Sequence, residues 1–403
     1  MKVLLCHNYY QRPGGEDQVF HDERWLLEEH GHDVTIYTKH NDEIVDMSRA
    51  QLVQDTFWNR ATYRELRDLI RWVRPDVMHC TNVFPLISPA AYAAARTAGV
   101  RIVQSLHNYR LHCSNGYFLR DGRICEDCLG KSFPWPAIQH ACYRSSRAAS
   151  TIVAGMQAFH RVLGTWRNRI DRFIACSQFA RDKLIASGMP AERITVKPNF
   201  VRPDTGAGEG EGGFAVFVGR LSPEKGIAML LEAWTKLPEP MPLKIVGDGP
   251  LAEQVADAAR RDPRIELLGW QPLDQVLKII GAARFLVMPS IWYETFGRTI
   301  IEAYSKGTPA IVSRLGAMAE LVTDQQTGLL FNAGDPVDLV QKIQSLLRDA
   351  NELRRMRARC RTEFELKYTA EENYRQLMEI YQDVQSHTVD GSPNYAPLAP
   401  ASA

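Results

Sequence analysis

The sequence lacks several features that define large protein classes. No apolar run reaches 18 residues, so it contains no candidate for a helix that crosses a bilayer. The formal net charge is only +1, which removes the overall positive excess typical of nucleic-acid-binding chains. Residues 1–6 are too short for a signal-peptide core and predict a first strand instead. These absences favour a soluble, cytoplasmic protein that contacts a membrane at most peripherally.

Two kinds of site are also missing or sparse. No two aspartates are separated by a single residue, so there is no Asp-x-Asp cluster to hold a divalent metal on a diphosphate. If a diphosphate leaves during a reaction, cationic side chains must neutralise it. The 8 cysteines in 403 residues are expected to be thiols rather than disulfides in a cytoplasmic chain.

Charge is unevenly distributed along the chain. Residues 51–200 contain 21 Lys+Arg against 10 Asp+Glu, while the whole chain is almost neutral. A basic face on the first half suggests an acidic partner such as a phospholipid surface. Solvated charges scattered over the surface are the alternative interpretation.

Strand and helix signals alternate through both halves, which is the pattern of parallel sheets covered by helices. The predicted fold is therefore α/β, with two doubly wound Rossmann-like domains that face a central cleft. The predicted N-terminal, acceptor-side domain covers residues 1–200 and contains a Cys-rich insertion at about 106–143. A Gly-rich linker at 201–213 leads to a predicted nucleotide-binding domain at 214–367. The chain is then predicted to form a helix at 368–386 that packs back on the first domain, followed by a disordered tail at 387–403.

Residues 290–302 combine two glutamates with a strand-to-helix transition. The apolar run 285–288 predicts a buried strand, and Ile300, Ile301 and Tyr304 follow at helical spacing. Glu294 therefore falls in the loop at the carboxyl end of a parallel strand, and Glu302 falls in the first turns of a helix. Open α/β sheets bind ligands at this edge.

Two further loops suggest phosphate binding. Gly219 and Arg220 follow a predicted strand, and Lys225 lies just before the next helix, which suits an anionic ligand. Residues 247–249, Gly-Asp-Gly, resemble a dinucleotide fingerprint but lack the ribose-binding acid at the end of the next strand. We interpret them as a glycine turn that serves a mononucleotide cleft.

Four cysteines lie in the predicted insertion. Cys125 and Cys128 form a Cys-x2-Cys pair, and Cys113 and Cys142 flank it. This pattern is compatible with a structural zinc site, in which His112 or His140 could replace a cysteine. Four unliganded thiols in a small packed subdomain are the alternative.

These motifs together resemble the retaining glycosyltransferases of family 4, which have the GT-B fold. The resemblance covers both domains, and its motifs are Gly14-Gly15, Gly219-Arg220 with Lys225-Gly226, residues 246–250, the Glu-x7-Glu corner of Glu294 and Glu302, residues 316–320 and residues 327–330.

The resemblance implies a role for each matched residue. Arg220 and Lys225 would neutralise the donor diphosphate, Glu294 would accept hydrogen bonds from donor sugar hydroxyls, and Glu302 would accept from the ribose. His107 would lie near the reacting sugar, although Asn108 follows it where many members have an acid. The remaining implied donor-binding residues are Gly14, Gly15, Gly219, Thr295, Phe296 and Gly297.

The predicted function is metal-independent transfer of a sugar from a nucleotide-diphosphate-sugar donor to a saccharide or lipid-linked acceptor, with retention of configuration. Bacterial surface polysaccharide or lipopolysaccharide assembly, at the inner face of the cell membrane, is the expected setting. A sugar-nucleotide epimerase of the same fold and a zinc-containing nucleic-acid-binding protein are the alternatives; the acidic second half disfavours the latter.

Overall fold

The computed structural model describes residues 1–12 and 14–386. Two six-stranded parallel sheets form the framework. The first has the order β2-β1-β3-β4-β7-β8 and the second β11-β10-β9-β12-β13-β14. The strands are β1 (Lys2–Tyr9), β2 (Asp33–His40), β3 (Val77–Asn82), β4 (Arg101–Leu106), β5 (Leu119–Arg120), β6 (Arg123–Ile124), β7 (Arg172–Ala175), β8 (Ile194–Val196), β9 (Ala215–Val218), β10 (Leu243–Val246), β11 (Ile265–Gly269), β12 (Phe285–Met288), β13 (Ala310–Ser313) and β14 (Gly328–Phe331).

Helices connect successive strands and cover both faces of each sheet. They are α1 (Gly15–Glu29), α2 (Arg49–Trp58), α3 (Arg60–Val73), α4 (Ala90–Thr97), α5 (Trp135–Gln139), α6 (Arg147–Val162), α7 (Thr165–Asn168), α8 (Gln178–Ala186), α9 (Ile227–Lys236), α10 (Ala252–Arg261), α11 (Leu273–Ala282), α12 (Arg298–Ser305), α13 (Gly316–Leu321), α14 (Pro336–Arg348), α15 (Ala350–Lys367) and α16 (Ala370–Ser386).

Continuous apolar strands explain the layered core. All four residues of β12 are buried, because helices pack on both sides of this central strand. The predicted α/β architecture with two doubly wound domains is confirmed, and each sheet reverses its strand order near its centre. In such sheets the carboxyl strand ends on either side of the reversal form a crevice for ligands.

The Gly-rich connection between the sheets is fixed along the second domain. The backbone N–H groups of Gly208, Gly210 and Gly212 donate to the carbonyls of Lys306, Gly281 and Ala282, at 2.9 Å each. A side-chain carbon at Gly208 would lie 2.3 Å from the carbonyl oxygen of Gly281. Glycine therefore allows this close approach, in addition to giving the linker composition seen in the sequence.

The last described helix, α16, returns to the first domain. Leu377, Ile380 and Tyr381 pack in one buried cluster with Val3 and Leu5 of β1. The predicted tail at 387–403 lies outside the described residues. Among the helices within 1–12 and 14–386, none is both long and apolar enough to cross a membrane.

Candidate active site

Glu294 receives three hydrogen bonds on one carboxylate oxygen. Its Oε1 accepts from Lys225 Nζ at 2.6 Å, Ser290 Oγ at 2.8 Å and Trp292 Nε1 at 2.9 Å. The residue is only 6% exposed, so these bonds fix its orientation at the end of β12. In the described part of the chain no group donates to Oε2, which leaves that oxygen available to accept from a ligand hydroxyl.

Glu302 is linked to the first domain through an arginine. Arg298 Nε donates to Glu302 Oε1 at 2.9 Å, and Arg298 Nη2 pairs with Asp22 Oδ2 of α1 at 2.7 Å. Arg202 in the connecting segment donates to Asp22 Oδ1 at 2.8 Å. Asp22 and Glu302 are buried, so this ion-pair network joins α12 to α1 away from solvent.

The cationic loop after β9 depends on close backbone packing. A side-chain carbon at Gly247 would lie 1.9 Å from the carbonyl oxygen of Gly219, and one at Gly249 would lie 2.4 Å from that of Leu221. The Gly-Asp-Gly turn after β10 therefore lets its backbone pack against the loop after β9. The side chain of Arg220 in that loop is exposed, whereas Lys225 bonds Glu294.

The Gly14-Gly15 turn presents bare backbone at the start of α1. A side-chain carbon at either glycine would meet no atom within 4 Å among the described residues beyond its chain neighbours. The turn is held by Asp17, whose Oδ2 accepts from the Gly14 N–H at 2.8 Å and whose Oδ1 lies 2.8 Å from His7 Nε2. The turn therefore combines a fixed position with room for a ligand to approach the backbone.

His107 follows the end of β4, as predicted. Its Nδ1 lies 3.1 Å from Cys176 Sγ, and its Nε2 is buried without a hydrogen-bond partner in the described part of the chain. Burial lowers the pKa of His107 to about 4, so the imidazole is neutral at pH 7. Burial also raises the pKa of Cys176 to about 12. When the protonated thiol donates to Nδ1, the ring proton is on Nε2.

The loops that carry His107 and Glu294 touch across the cleft. Thr295 Oγ1 donates to the carbonyl of His107 at 3.0 Å, and Ser177 Oγ donates to the carbonyl of Thr295 at 2.7 Å. Glu320 of α13 accepts from the first N–H groups of α8, at 2.9 and 2.8 Å. These contacts bring the predicted residues of both domains to one edge of the cleft.

Two residues that follow Glu294 in the chain, Phe296 and Gly297, determine how α12 begins. Phe296 is 3% exposed, and its ring lies 6.1 Å from that of Tyr368. Gly297 has φ of +103° and precedes the first residue of α12, a backbone conformation that strongly favours glycine. The turn directs the amino end of α12, with its partial positive charge, toward the same edge.

The Cys-rich insertion forms a β5–β6 hairpin followed by α5. Burial, with a contribution from neighbouring cysteines, raises the pKa of both Cys128 and Cys142 to about 11. Cys113 Sγ donates to Asn115 Oδ1 at 2.9 Å. Within the described residues, no three His, Cys, Asp or Glu side chains are arranged to hold a metal ion, and all four cysteines of the predicted site are free thiols.

Zinc at Cys113, Cys125, Cys128 and Cys142 stays a prediction from sequence. If these thiols bind zinc as a four-thiolate set, protein purified without chelator contains about one zinc per chain; four unliganded thiols give a ratio near zero. Elemental analysis of the wild type and of a Cys125→Ser/Cys128→Ser variant measures this. A ratio near zero in the wild type, or an equal ratio in both proteins, would exclude the site.

Several residues of this arrangement were not assigned from sequence. Ser290 and Trp292 lie within residues 290–302, the segment that contains Glu294 and Glu302. The sequence pattern of this segment does not show that their side chains point toward Glu294. Asp22 and Arg298 are 276 positions apart, the difference between their numbers, and only the fold brings them together. The Trp292 indole was the one available signal, because a buried indole N–H needs an acceptor.

Two sequence families match the chain. Residues 13–205 match the family described as Glycosyltransferase Family 4, and residues 213–349 match the one described as Glycosyl transferases group 1. An uncharacterized glycosyltransferase of Methanocaldococcus jannaschii is 30% identical over 216 residues, which is 53% of this chain and 60% of that protein. Sulfoquinovosyl transferase SQD2 of Arabidopsis thaliana is 34% identical over 145 residues, 35% of this chain and 28% of that protein. The chain thus spans less than two thirds of the length of these relatives.

Solved structures share the whole architecture. The Anabaena HepE protein in complex with UDP-glucose superposes with a TM-score of 0.67 at 18% identity, covering 95% of this chain and 100% of that one. A glycosyltransferase from Rickettsia africae gives 0.70 at 15% identity, covering 96% and 99%. Residues 13–205 and 213–349 are therefore each similar to a glycosyltransferase family, and the two domains have the arrangement of the GT-B fold.

Proposed function

We propose that this protein is a retaining glycosyltransferase that moves a sugar from a nucleotide-diphosphate-sugar donor to a saccharide or lipid-linked acceptor without a catalytic metal. The observation that carries the proposal is the Glu294 corner. Three donors hold one oxygen of a buried carboxylate, and its other oxygen is available where a domain cleft meets a strand end. A carboxylate fixed in this way suits recognition of sugar hydroxyls.

The donor is placed by both charge and backbone. Lys225 Nζ has three protons and uses one on Glu294, so two remain for diphosphate oxygens. Arg220, exposed at the same loop, supplies the second cation, and the backbones of Gly219, Thr295, Phe296 and Gly297 line the phosphate path. Glu302 accepts from the ribose hydroxyls. On the opposite wall, Gly14 and Gly15 leave room for the phosphates or the acceptor.

In the proposed reaction the bond between the anomeric carbon and the diphosphate oxygen breaks. The acceptor hydroxyl oxygen bonds to that carbon on the same face, and its proton passes to the departing phosphate. Lys225 and Arg220 stabilise the charge that develops on the diphosphate. His107 is neutral at pH 7 and donates from Nε2 to an oxygen of the moving sugar. This route needs no carboxylate nucleophile of the kind that retaining glycosidases use.

Relatives support the substrate classes. HepE binds UDP-glucose, and D-inositol 3-phosphate glycosyltransferase of Corynebacterium urealyticum is 28% identical over 198 residues. A 42.6 kDa protein of the Klebsiella pneumoniae cps region is 25% identical over 274 residues. These neighbours motivate a nucleotide-sugar donor, and they fit a place in surface polysaccharide assembly.

The proposal is tested with radiolabelled UDP- and GDP-sugars, with EDTA present, and acceptor fractions of soluble saccharides and lipid-linked glycans. We expect label from one donor to enter one fraction, with the anomeric configuration of the donor retained in the product NMR spectrum. Isomerisation of the donor without transfer would instead identify an epimerase. Inversion, or complete loss of activity in EDTA, would contradict the proposed mechanism.

We also propose that the protein is cytoplasmic and binds the inner face of the membrane through its first domain. Val162 and Leu163, at the end of α6, are 87% and 42% exposed, and the exposed Arg167 follows them four residues later in the chain. Apolar side chains beside a cation are suited to an anionic lipid surface. The excess of basic residues over 51–200 has the matching sign.

Flotation with anionic vesicles measures this contact. We expect wild-type protein to float at low salt, less of it at high salt, and much less of a Val162→Asp/Leu163→Asp variant. Trp270→Asp is the control, because Trp270 is 74% exposed on the second domain. Absence of flotation at low salt, or equal loss in the control, would contradict the assignment.

A further inference from the structure

Arg110 has a guanidinium whose N–H groups are little used by hydrogen bonds in the described protein. It lies three residues after His107, where the insertion begins. Its guanidinium carbon is 4.7 Å from the ring centre of Phe84 and 5.5 Å from that of Tyr143. The only hydrogen bond from its guanidinium within residues 1–12 and 14–386 is a long one, 3.4 Å, from Nη1 to the carbonyl of Ser114. Nε is buried without a partner.

Glu16, whose charge acts on this arginine, forms no ion pair with it. Glu16 accepts from Tyr10 Oη at 2.7 Å and from Asn108 Nδ2 at 3.3 Å, and these bonds keep its carboxyl directed at them. No carboxylate in the described part of the chain lies within 4.0 Å of the guanidinium. Burial also raises the pKa of Glu16. The guanidinium of Arg110 therefore lacks an ion-pair partner in the described part of the chain.

The arginine borders a cavity whose lining residues all belong to the first domain. The cavity has a volume of about 50 Å³, and His107, Asn108, Glu16 and Arg110 are among the residues that line it. It is mostly apolar otherwise, so an ion inside it would be poorly screened by water.

One aromatic contact connects the Cys-rich insertion with the loop that carries Glu294. The Tyr117 ring of the insertion meets the Trp292 ring edge to face at 4.9 Å, and Trp292 donates to Glu294. His107 and Arg110 line the same cavity, and the carbonyl of His107 accepts from Thr295 of the Glu294 loop at 3.0 Å. A group bound by Arg110 would therefore lie on the first-domain side of the Glu294 loop, which is the acceptor side in the proposed function.

We propose that Arg110 is the anion-recognising residue of the acceptor subsite, so that the acceptor carries a phosphate or carboxylate group near the hydroxyl that receives the sugar. The inference rests on the proposed function and narrows its substrate class. A buried N–H group without an acceptor, such as Arg110 Nε, is costly, and an oxyanion ligand that accepts from the guanidinium removes that cost. The planar guanidinium can bind two oxygens at once, and the flanking rings of Phe84 and Tyr143 fix its plane.

Ligand-observed NMR titration tests the subsite with three probes: glucose 1-phosphate, methyl glucuronoside and the neutral methyl glucoside. UDP or GDP, whichever stabilises the protein, is present at saturation so that the donor phosphate site is filled. We expect at least one anionic probe to bind about tenfold or more tightly than methyl glucoside, as for a charge-assisted bidentate contact. Comparing glucose 1-phosphate with methyl glucuronoside shows whether the subsite prefers a phosphate or a carboxylate group on the acceptor.

Variants assign the preference to Arg110. Arg110→Gln is expected to remove it, and Arg123→Gln, which alters an exposed arginine of the same insertion, is expected to keep it. Equal affinity for charged and neutral probes in the wild type, or a preference that survives Arg110→Gln, would overturn the proposal. If thermal unfolding shows that Arg110→Gln does not fold, the Arg110→Lys variant is measured instead. It keeps the positive charge but loses the planar guanidinium that binds two oxygens at once. An unchanged preference for the anionic probes in this variant counts against the proposal.

The result is separable from the proposed function. Nucleotide binding is measured on the same samples, and Arg110→Gln is expected to leave it unchanged because Arg110 is on the acceptor side. A wild type that binds no nucleotide refutes the proposed function. In that case the probe preference, measured without nucleotide, still decides whether Arg110 selects anions.

Discussion

Replacing Glu294 by alanine lowers the rate of sugar transfer by about 10²-fold or more, while the protein remains folded. The carboxylate is held by Lys225, Ser290 and Trp292, so its loss leaves three donors without an acceptor and, under the proposed function, removes the group that would orient the donor sugar. Steady-state transfer, with whichever donor the screen of UDP- and GDP-sugars identifies, measures the effect. Glu294→Gln, which keeps the shape but not the charge, is expected to lose most of the same activity.

The matched control for this prediction is Glu253→Ala. Glu253 is on α10, its side chain is 84% exposed, and its ion pair with Arg260 is at the surface. Its replacement is expected to leave transfer within about twofold of wild type, since exposed pairs contribute little. A near-normal rate for Glu294→Ala, or an equal loss in both variants, would refute the assigned role of the corner.

Replacing Lys197 by methionine reduces the free energy of unfolding by about 3–5 kcal/mol. Lys197 Nζ bonds Glu23 Oε1 and Asn373 Oδ1, both at 2.9 Å, and thereby joins α1 to α16. The Lys197 and Glu23 side chains are 2% and 3% exposed. The variant leaves the Glu23 carboxylate buried without its cation, which is the costly arrangement.

The charge state of Glu23 shows the strength of this pair. Burial by itself raises the pKa of Glu23, but Lys197 and then His79 lower it to about 2. Because the folded pKa is below that of the unfolded chain, about 4.3, the stabilisation is complete above that pH and decreases as the pH falls toward 2. Urea unfolding at pH 7 is therefore the appropriate measurement.

A double variant separates loss of the pair from a buried unpaired charge. Lys197→Met/Glu23→Gln is expected to recover most of the lost stability, because neither side chain is then charged. Lys278→Met removes a cation that is 70% exposed and is expected to cost less than about 1 kcal/mol. A single variant that loses less than about 1 kcal/mol, or a double variant no more stable than the single, would contradict this explanation.

Local sequence patterns were sufficient to predict the repeated strands and the Glu294 corner. The strand β12 is a continuous apolar run, and the apolar residues of α12 recur at helical spacing. These two patterns are enough to predict that the loop between them lies at an edge of the sheet. The predicted place of His107, directly after β4, agrees with the structure for the same reason.

Contacts between distant residues could not be predicted in this way. The Asp22–Arg298 ion pair, the Thr295–His107 hydrogen bond and the Phe84–Arg110 contact each join segments whose proximity depends on how the domains pack. The Gly247 turn was interpreted as a ligand loop, yet its glycine is required for packing against another backbone loop. A glycine pattern in a sequence indicates that another group approaches the backbone closely, but it does not show whether that group is a ligand or another part of the chain.

The most direct test of the central claim is the thermal stability of the wild type and of Glu294→Ala with UDP- and GDP-sugars and the matching nucleoside diphosphates. A ligand at a hundredfold excess over its dissociation constant adds about 2.7 kcal/mol. We predict that one nucleotide sugar stabilises the wild type more than its nucleoside diphosphate does, and that Glu294→Ala abolishes this difference while keeping the response to the diphosphate. If no nucleotide sugar stabilises the wild type, or if the extra stabilisation persists in Glu294→Ala, Glu294 does not hold the transferred sugar.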